Sequence, residues 1–120
     1  MNGIARGFFI IGVFSVVIGM LWGIQMSATH DHTLSPAHAH LNLVGWVTFG
    51  LIGLYYHLVP TAAQGRLARI HLGLATLGLV ALVPGIVLAI TGATEIVAIL
   101  GSFLTLGAMA IFLWTVVTVR

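Results

Sequence analysis

The sequence predicts an all-α integral membrane four-helix bundle, and three observations carry that prediction. Hydrophobic residues make up 60% of the 120-residue chain and charged residues only 5%, which is more apolar surface than a soluble fold of this size can hide. The apolar residues fall into four runs, about 6–27, 36–59, 67–90 and 95–118, each close to the roughly 20 residues that cross a bilayer. The few charges sit at the edges of those runs, so the whole length reads as one four-span transmembrane domain, up-down in topology.

The first span opens at Arg6, and its apolar stretch exceeds the 7–15 residues of a signal-peptide core. Gly19-Met20-Leu21-Trp22-Gly23 reads as a packing stripe, and the segment is kept as a span. For the second span, Ser35 is a suitable N-cap and Pro36 suits the first helical position, which puts His38 and His40 in the first turn and a half. Pro60 closes that span, and Thr61-Ala62-Ala63-Gln64-Gly65 makes a short turn. The third span carries Pro84, which removes a backbone donor and predicts a kink. It ends at Thr91-Gly92-Ala93-Thr94, after which Glu95 meets the positive end of the fourth helix's dipole. Connections this short make neighbouring helices antiparallel. Fifteen glycines let membrane helices approach closely, and four helices enclose so little volume that some of these small faces are expected to serve a homo-oligomer.

Arg6, Arg66, Arg69 and Arg120 lie at the two termini and in the second connection, all on one side of a four-span chain. The positive-inside rule makes that side cytoplasmic, with both termini inside. Asp31 and Glu95 fall on the other side, so the histidine-rich first connection faces the periplasm if the membrane is a bacterial inner membrane. Four scattered arginines make no nucleic-acid patch. With no cysteine, disulfides, thiolate metal sites and covalent c-type haem attachment are excluded.

The run His30-Asp31-His32-Thr33-Leu34-Ser35-Pro36-Ala37-His38-Ala39-His40 brings four of the six histidines and one of the two acids to the start of the second span. An imidazole near hydrocarbon must be hydrogen-bonded, paired or ligated, since an unpaired buried polar group costs about 2–7 kcal/mol, and intramembrane ionisable groups are functional candidates by default. At 100° per residue His38 and His40 point about 200° apart, so they serve opposite sides of one helix and do not chelate one ion together. His57 and His71 fall near the cytoplasmic ends of the second and third spans, where they are expected to meet. His40 and His57 are about 25 Å apart along a helix and belong to separate sites.

These residues resemble a known family, subunit I of the haem-copper oxidases and the related nitric oxide reductases. In the oxidases an Ala-His-aromatic-His motif, preceded by His-Asp, supplies ligands to the high-spin and low-spin haems. Here His30-Asp31 precedes Ala37-His38-Ala39-His40 at similar spacing. The run from His40-Leu41-Asn42-Leu43 to Tyr55-Tyr56-His57-Leu58-Val59-Pro60 is also similar to the reductase helix that begins His-Thr-Asn-Leu and ends Tyr-Tyr-Leu-Val/Ile-Pro. The resemblance covers roughly 30 residues. It implies haem b held through His40, with His38 as a further ligand, and electron transfer or redox sensing with a quinol or cytochrome partner. The family's twelve helices form three pseudo-equivalent groups of four, so one four-helix chain resembling a group implies a homotrimer with the second span at its centre. His-Pro-Glu-Val-Tyr and His-His segments are missing from this chain. Bis-histidine haem b, which normally moves electrons, is therefore expected in place of the family's copper site and oxygen chemistry.

Each residue also has a plainer reading. His38 and His40 are alternatively hydrogen-bonded helix-start histidines. Asp31 either orients a ligand and lies near propionates or is a solvated loop acid. Asn42 is a cofactor-side residue or satisfies a neighbouring helix. His30, His32, His38 and His40 together define the rival reading, a copper or zinc site for metal handling at the outer face. A cofactor-free assembly subunit or small channel is the third. His57 and His71 make either a structural hydrogen bond or a second haem or metal site. Trp22, Trp46, Trp114, Tyr55 and Tyr56 are an electron path, a porphyrin wall or an interfacial belt.

Overall fold

The computed structural model describes residues 1 and 3–119. Arg120, one of the four arginines behind the predicted orientation, lies outside the described residues. The described chain is helical, with α1 at Gly3–Thr29, α2 at Ser35–Leu58, α3 at Arg66–Ile90 and α4 at Ile96–Thr118, each long and apolar enough to cross a membrane. All eight helix ends fall within three residues of the expected spans.

The exposed faces are apolar. Phe14, Leu21 and Ile24 on α1 and Phe103, Leu113 and Val117 on α4 point outward, the distribution expected where the solvent is hydrocarbon. Association between such helices gains little from the hydrophobic effect and depends on close packing of small residues. On α1 the inward residues Ala5, Phe8, Gly12, Ser15 and Gly19 recur every three or four positions, one seam of a helix. A Cβ on Gly12 would lie 3.3 Å from the Gly50 nitrogen and the Trp46 oxygen, and one on Gly53 would lie 3.1 Å from the Ala5 oxygen. The α1–α2 pair is therefore antiparallel and nearly backbone to backbone.

The α3–α4 pair repeats the device more tightly. A Cβ on Gly85 would sit 2.5 Å from the Ala98 nitrogen, and one on Gly101 would sit 2.5 Å from the Leu82 nitrogen. No side chain fits at either place. Gly92 ends α3 at φ 82°, the left-handed conformation that glycine adopts without strain, and the Ala93 and Thr94 amides both return to the Leu88 carbonyl.

One local expectation is corrected. Ser35 is not the N-cap of the second helix: the helix already includes it, Leu34 precedes it, and no side chain caps it. Glu95 stands at the N-cap of α4, at the positive end of the helix dipole, and the Thr94 hydroxyl accepts from the Ile96 amide at 3.2 Å. The helix runs unbroken through Pro84, whose ring is exposed.

Inside α2 the sequence signals no irregularity, yet Leu41–Thr48 is a π-helix between α-helical Ser35–His40 and Phe49–Leu58. π geometry is rare and mostly confined to single turns, frequently at functional sites. Side chains serve a carbonyl near each end of the segment: Asn42 Nδ2 donates to the His38 carbonyl at 3.1 Å, and the Thr48 hydroxyl donates to the Leu43 carbonyl at 2.8 Å, five residues back. At the middle, a Cβ on Gly45 would lie 2.8 Å from the Ser15 Cβ, so glycine is what lets the widened turn lie against α1.

Candidate functional site at the start of the second helix

His38 and His40 share the first turns of α2 and have opposite surroundings. His38 Nε2 lies 2.9 Å from the Gly19 carbonyl on α1, to which it donates, and its ring stands edge-on to Trp22 with centroids 5.9 Å apart. Two glycines make this approach feasible. A Cβ on Gly23 would lie 3.3 Å from His38 Nε2, and one on Gly19 would run into the Asn42 side chain. Asn42 has its amide nitrogen 3.2 Å from His38 Nε2 and donates to the His38 carbonyl. The ring ties α2 to α1, and ligation through Nε2 would first break that tie.

His40 is exposed on the other side of the helix. Its Nδ1 lies 2.7 Å from the Pro36 carbonyl one turn back. A carbonyl only accepts, so Nδ1 carries the proton, and the neutral ring keeps a lone pair on Nε2. A backbone carbonyl on one ring nitrogen and a free lone pair on the other is the arrangement that fixes tautomer and orientation in ligating histidines. Below His40 the outward side of α2 continues as Leu43, Val47, Leu51 and Leu54.

The preceding loop is ordered by Asp31. Its Oδ1 accepts from the Thr33 hydroxyl at 2.6 Å and from the Thr33 amide at 3.0 Å, and these bonds to the charged form hold the carboxyl below the usual aspartate range. Asp31 therefore shapes the turn, and among the described residues no histidine is hydrogen-bonded to it. His30 ends α1 in the left-handed region at φ 55°, and His32 is exposed, its carbonyl accepting from the Ser35 amide. Among the described residues no three His, Cys, Asp or Glu side chains converge on one point. A single chain accordingly does not gather His30, His32, His38 and His40 into the expected copper or zinc site.

His57 and His71 do not pair. His57 is exposed beside an end cavity of about 450 Å³ that also involves Met1, Pro60 and Gln64. His71 is fully buried, and its Nδ1 lies 2.7 Å from the Tyr56 hydroxyl. Phe8 and Phe112 flank its ring at centroid distances of 4.9 and 5.7 Å. One position along a helix turns a side chain by about 100°, enough to put Tyr56 inward and His57 outward. The signal for His71 was present in the sequence, because Ala68, Ala75, Gly78 and Leu82 share its face at helical spacing and mark that face as the packed one.

The fold and site together define a class, a helical chain of four helices long and apolar enough to cross a membrane, with an imidazole presented at the start of the second. No family model, curated protein or solved structure matches the chain.

Proposed function

We propose that this chain is an integral membrane haem b protein that transfers electrons or senses redox state, with His40 as an axial ligand. The observation that carries this reading is the His40 ring, anchored at Nδ1 and bearing a free Nε2 lone pair, next to a π segment that starts at Leu41. Haem b supplies one-electron redox chemistry when bound. The chain's own residues hold and orient: Pro36 fixes the His40 tautomer, His38 pins the helix start to α1, and Leu43 and Val47 offer apolar surface for a porphyrin face.

His40 stands on an open face, so one chain supplies one ligand and one wall. The second wall comes from another copy, with a homotrimer favoured by the oxidase-like and nitric oxide reductase-like motif. The same reading places the protein in a bacterial inner membrane, termini inside, histidine loop in the periplasm, with a quinol or cytochrome as electron partner.

Reduced-minus-oxidised visible spectra and a pyridine haemochrome assay on the purified chain test the proposal. A b-type signal that His40→Ala removes and His38→Gln retains is the expected result. Undiminished haem in His40→Ala overturns it, and a colourless protein carrying stoichiometric copper or zinc establishes the metal-handling reading instead.

A further inference from the structure

Helices α1 and α3 touch where a Cβ on Gly7 would lie 2.9 Å from the Leu72 Cδ2. Beside that contact lies an open groove of about 540 Å³, walled by Ile4 and Ile11 on α1 and by Leu72, Gly73 and Leu77 on α3. Gly73 leaves its floor bare, since a Cβ there would meet nothing within 4 Å. Thr76, also on this wall, spends its hydroxyl on the Leu72 carbonyl at 2.7 Å. The groove is thus apolar along its length, except at Arg69. Arg69 stands three, four and eight positions before Leu72, Gly73 and Leu77, on the same helical stripe.

Charge at the Arg69 end is of one sign. Arg6 and Arg66 stand near the starts of α1 and α3, at that same end, whereas the chain's two acids, Asp31 and Glu95, follow α1 and precede α4 at the opposite end. No Asp or Glu side chain is therefore within reach of Arg69. Its side-chain hydrogen bond among the described residues runs from Nε to the Gly65 carbonyl at 3.5 Å, and a guanidinium fork matches the geometry of a phosphate. The length of the groove is equally selective. Arg69 to Leu77 is about 12 Å along the helix, against roughly 15 Å for half of a bilayer's hydrocarbon core.

We propose that this groove binds one phospholipid of net negative headgroup, with its phosphate on Arg69 and one acyl chain laid between α1 and α3. The cationic group of a zwitterionic lipid would face three arginines and no acid, so the negative headgroup is preferred. The lipid fills a seam between the closely packed α1–α2 and α3–α4 pairs. The site is separate from His40 and does not rest on the haem reading.

The test is native mass spectrometry of the full chain in detergent, titrated with dioleoyl phosphatidylglycerol or dioleoyl phosphatidylcholine. Expected is one phosphatidylglycerol retained per chain in preference to phosphatidylcholine. Arg69→Gln should weaken that retention by about fivefold or more, the worth of one arginine near an anionic surface, and Arg66→Gln should weaken it less. Gly73→Leu, which fills the groove, should abolish it with helical circular dichroism unchanged. Equal retention of the two lipids, equal losses in Arg69→Gln and Arg66→Gln, or full retention in Gly73→Leu each overturns the proposal. A lipid-free oligomer that Gly73→Leu converts to monomer assigns the groove to a second copy of the chain and overturns it as well.

Discussion

His38 and His40 are two positions apart and have been given different tasks by their hydrogen bonds. His38 spends Nε2 on the Gly19 carbonyl, whereas His40 spends Nδ1 on the Pro36 carbonyl and keeps Nε2 free. His38→Gln is therefore expected to keep most of the bound haem and lower Tm modestly, and His40→Ala to abolish or halve haem occupancy with little change in Tm. Haemochrome content and thermal unfolding separate the two effects. Asp31 permits a pH prediction. The ordinary aspartate value is 3.8, and the two Thr33 bonds depress it in the folded chain. The contribution to stability is thus complete above the ordinary value and disappears as pH falls through the lower, folded one. Order in the 31–33 turn should persist unchanged from neutral pH down to about pH 4 and be lost only in stronger acid. Carboxyl ¹³C titration checks this, and an Asp31 value at or above 3.8 would refute it.

Helices α3 and α4 are held by glycine at their two closest points. Gly85→Ala and Gly101→Ala each place a methyl group 2.5 Å from backbone nitrogen of the facing helix, where no flexible side chain can move aside. Overpacking of this kind costs about 1–3 kcal/mol, occasionally more. Gly73→Ala meets nothing within 4 Å and is the matched control, expected to unfold at or slightly above the parent temperature because alanine favours helix. Differential scanning measurements on the three variants decide the point. The π segment makes a second prediction at this scale. Deleting Val44 should return Leu41–Thr48 to α-helical register and turn Ser35–His40 by about 100° relative to Phe49–Leu58. His38 would then leave Gly19, and haem would be lost with helical circular dichroism preserved. A deletion variant that retains full haem would show that the π turn has no part in presenting His40.

The four helices form an assembly with Cα extents of 47 × 28 × 18 Å, and large apolar side chains cover much of its outside. The long dimension suits a bilayer crossing, since the hydrocarbon core is about 30 Å thick. Under the proposed function the open side of α2 cannot be finished by lipid, because a porphyrin at His40 needs a second wall. The haem-bearing species in mild detergent is therefore expected to have the mass of three chains, with no more than one haem per chain. Native mass spectrometry measures both quantities. A haem-bearing monomer would remove the oligomeric part of the proposal and leave the His40 assignment standing.

Composition and hydropathic pattern determined the all-helical class and four helix extents nearly to the residue, because backbone groups crossing hydrocarbon must be satisfied within each apolar run. Helical geometry likewise separated His38 from His40, since a two-residue spacing within α-helical Ser35–His40 leaves no other option. Which of the two would face α1 was decided only by packing, by the bare backbone at Gly19 and Gly23 that admits the His38 ring. The pairing of His71 with Tyr56 in place of His57 depended on how α2 is rotated against α3, a quantity shared by two helices and written in neither. The π segment was equally illegible: no residue of Leu41–Thr48 forbids an α-helix, and the widened turn reflects the fit of Gly45 against Ser15 together with the carbonyls taken by Asn42 and Thr48. Local sequence sets what each helix can be, and contacts between helices set which of its side chains are left free to act.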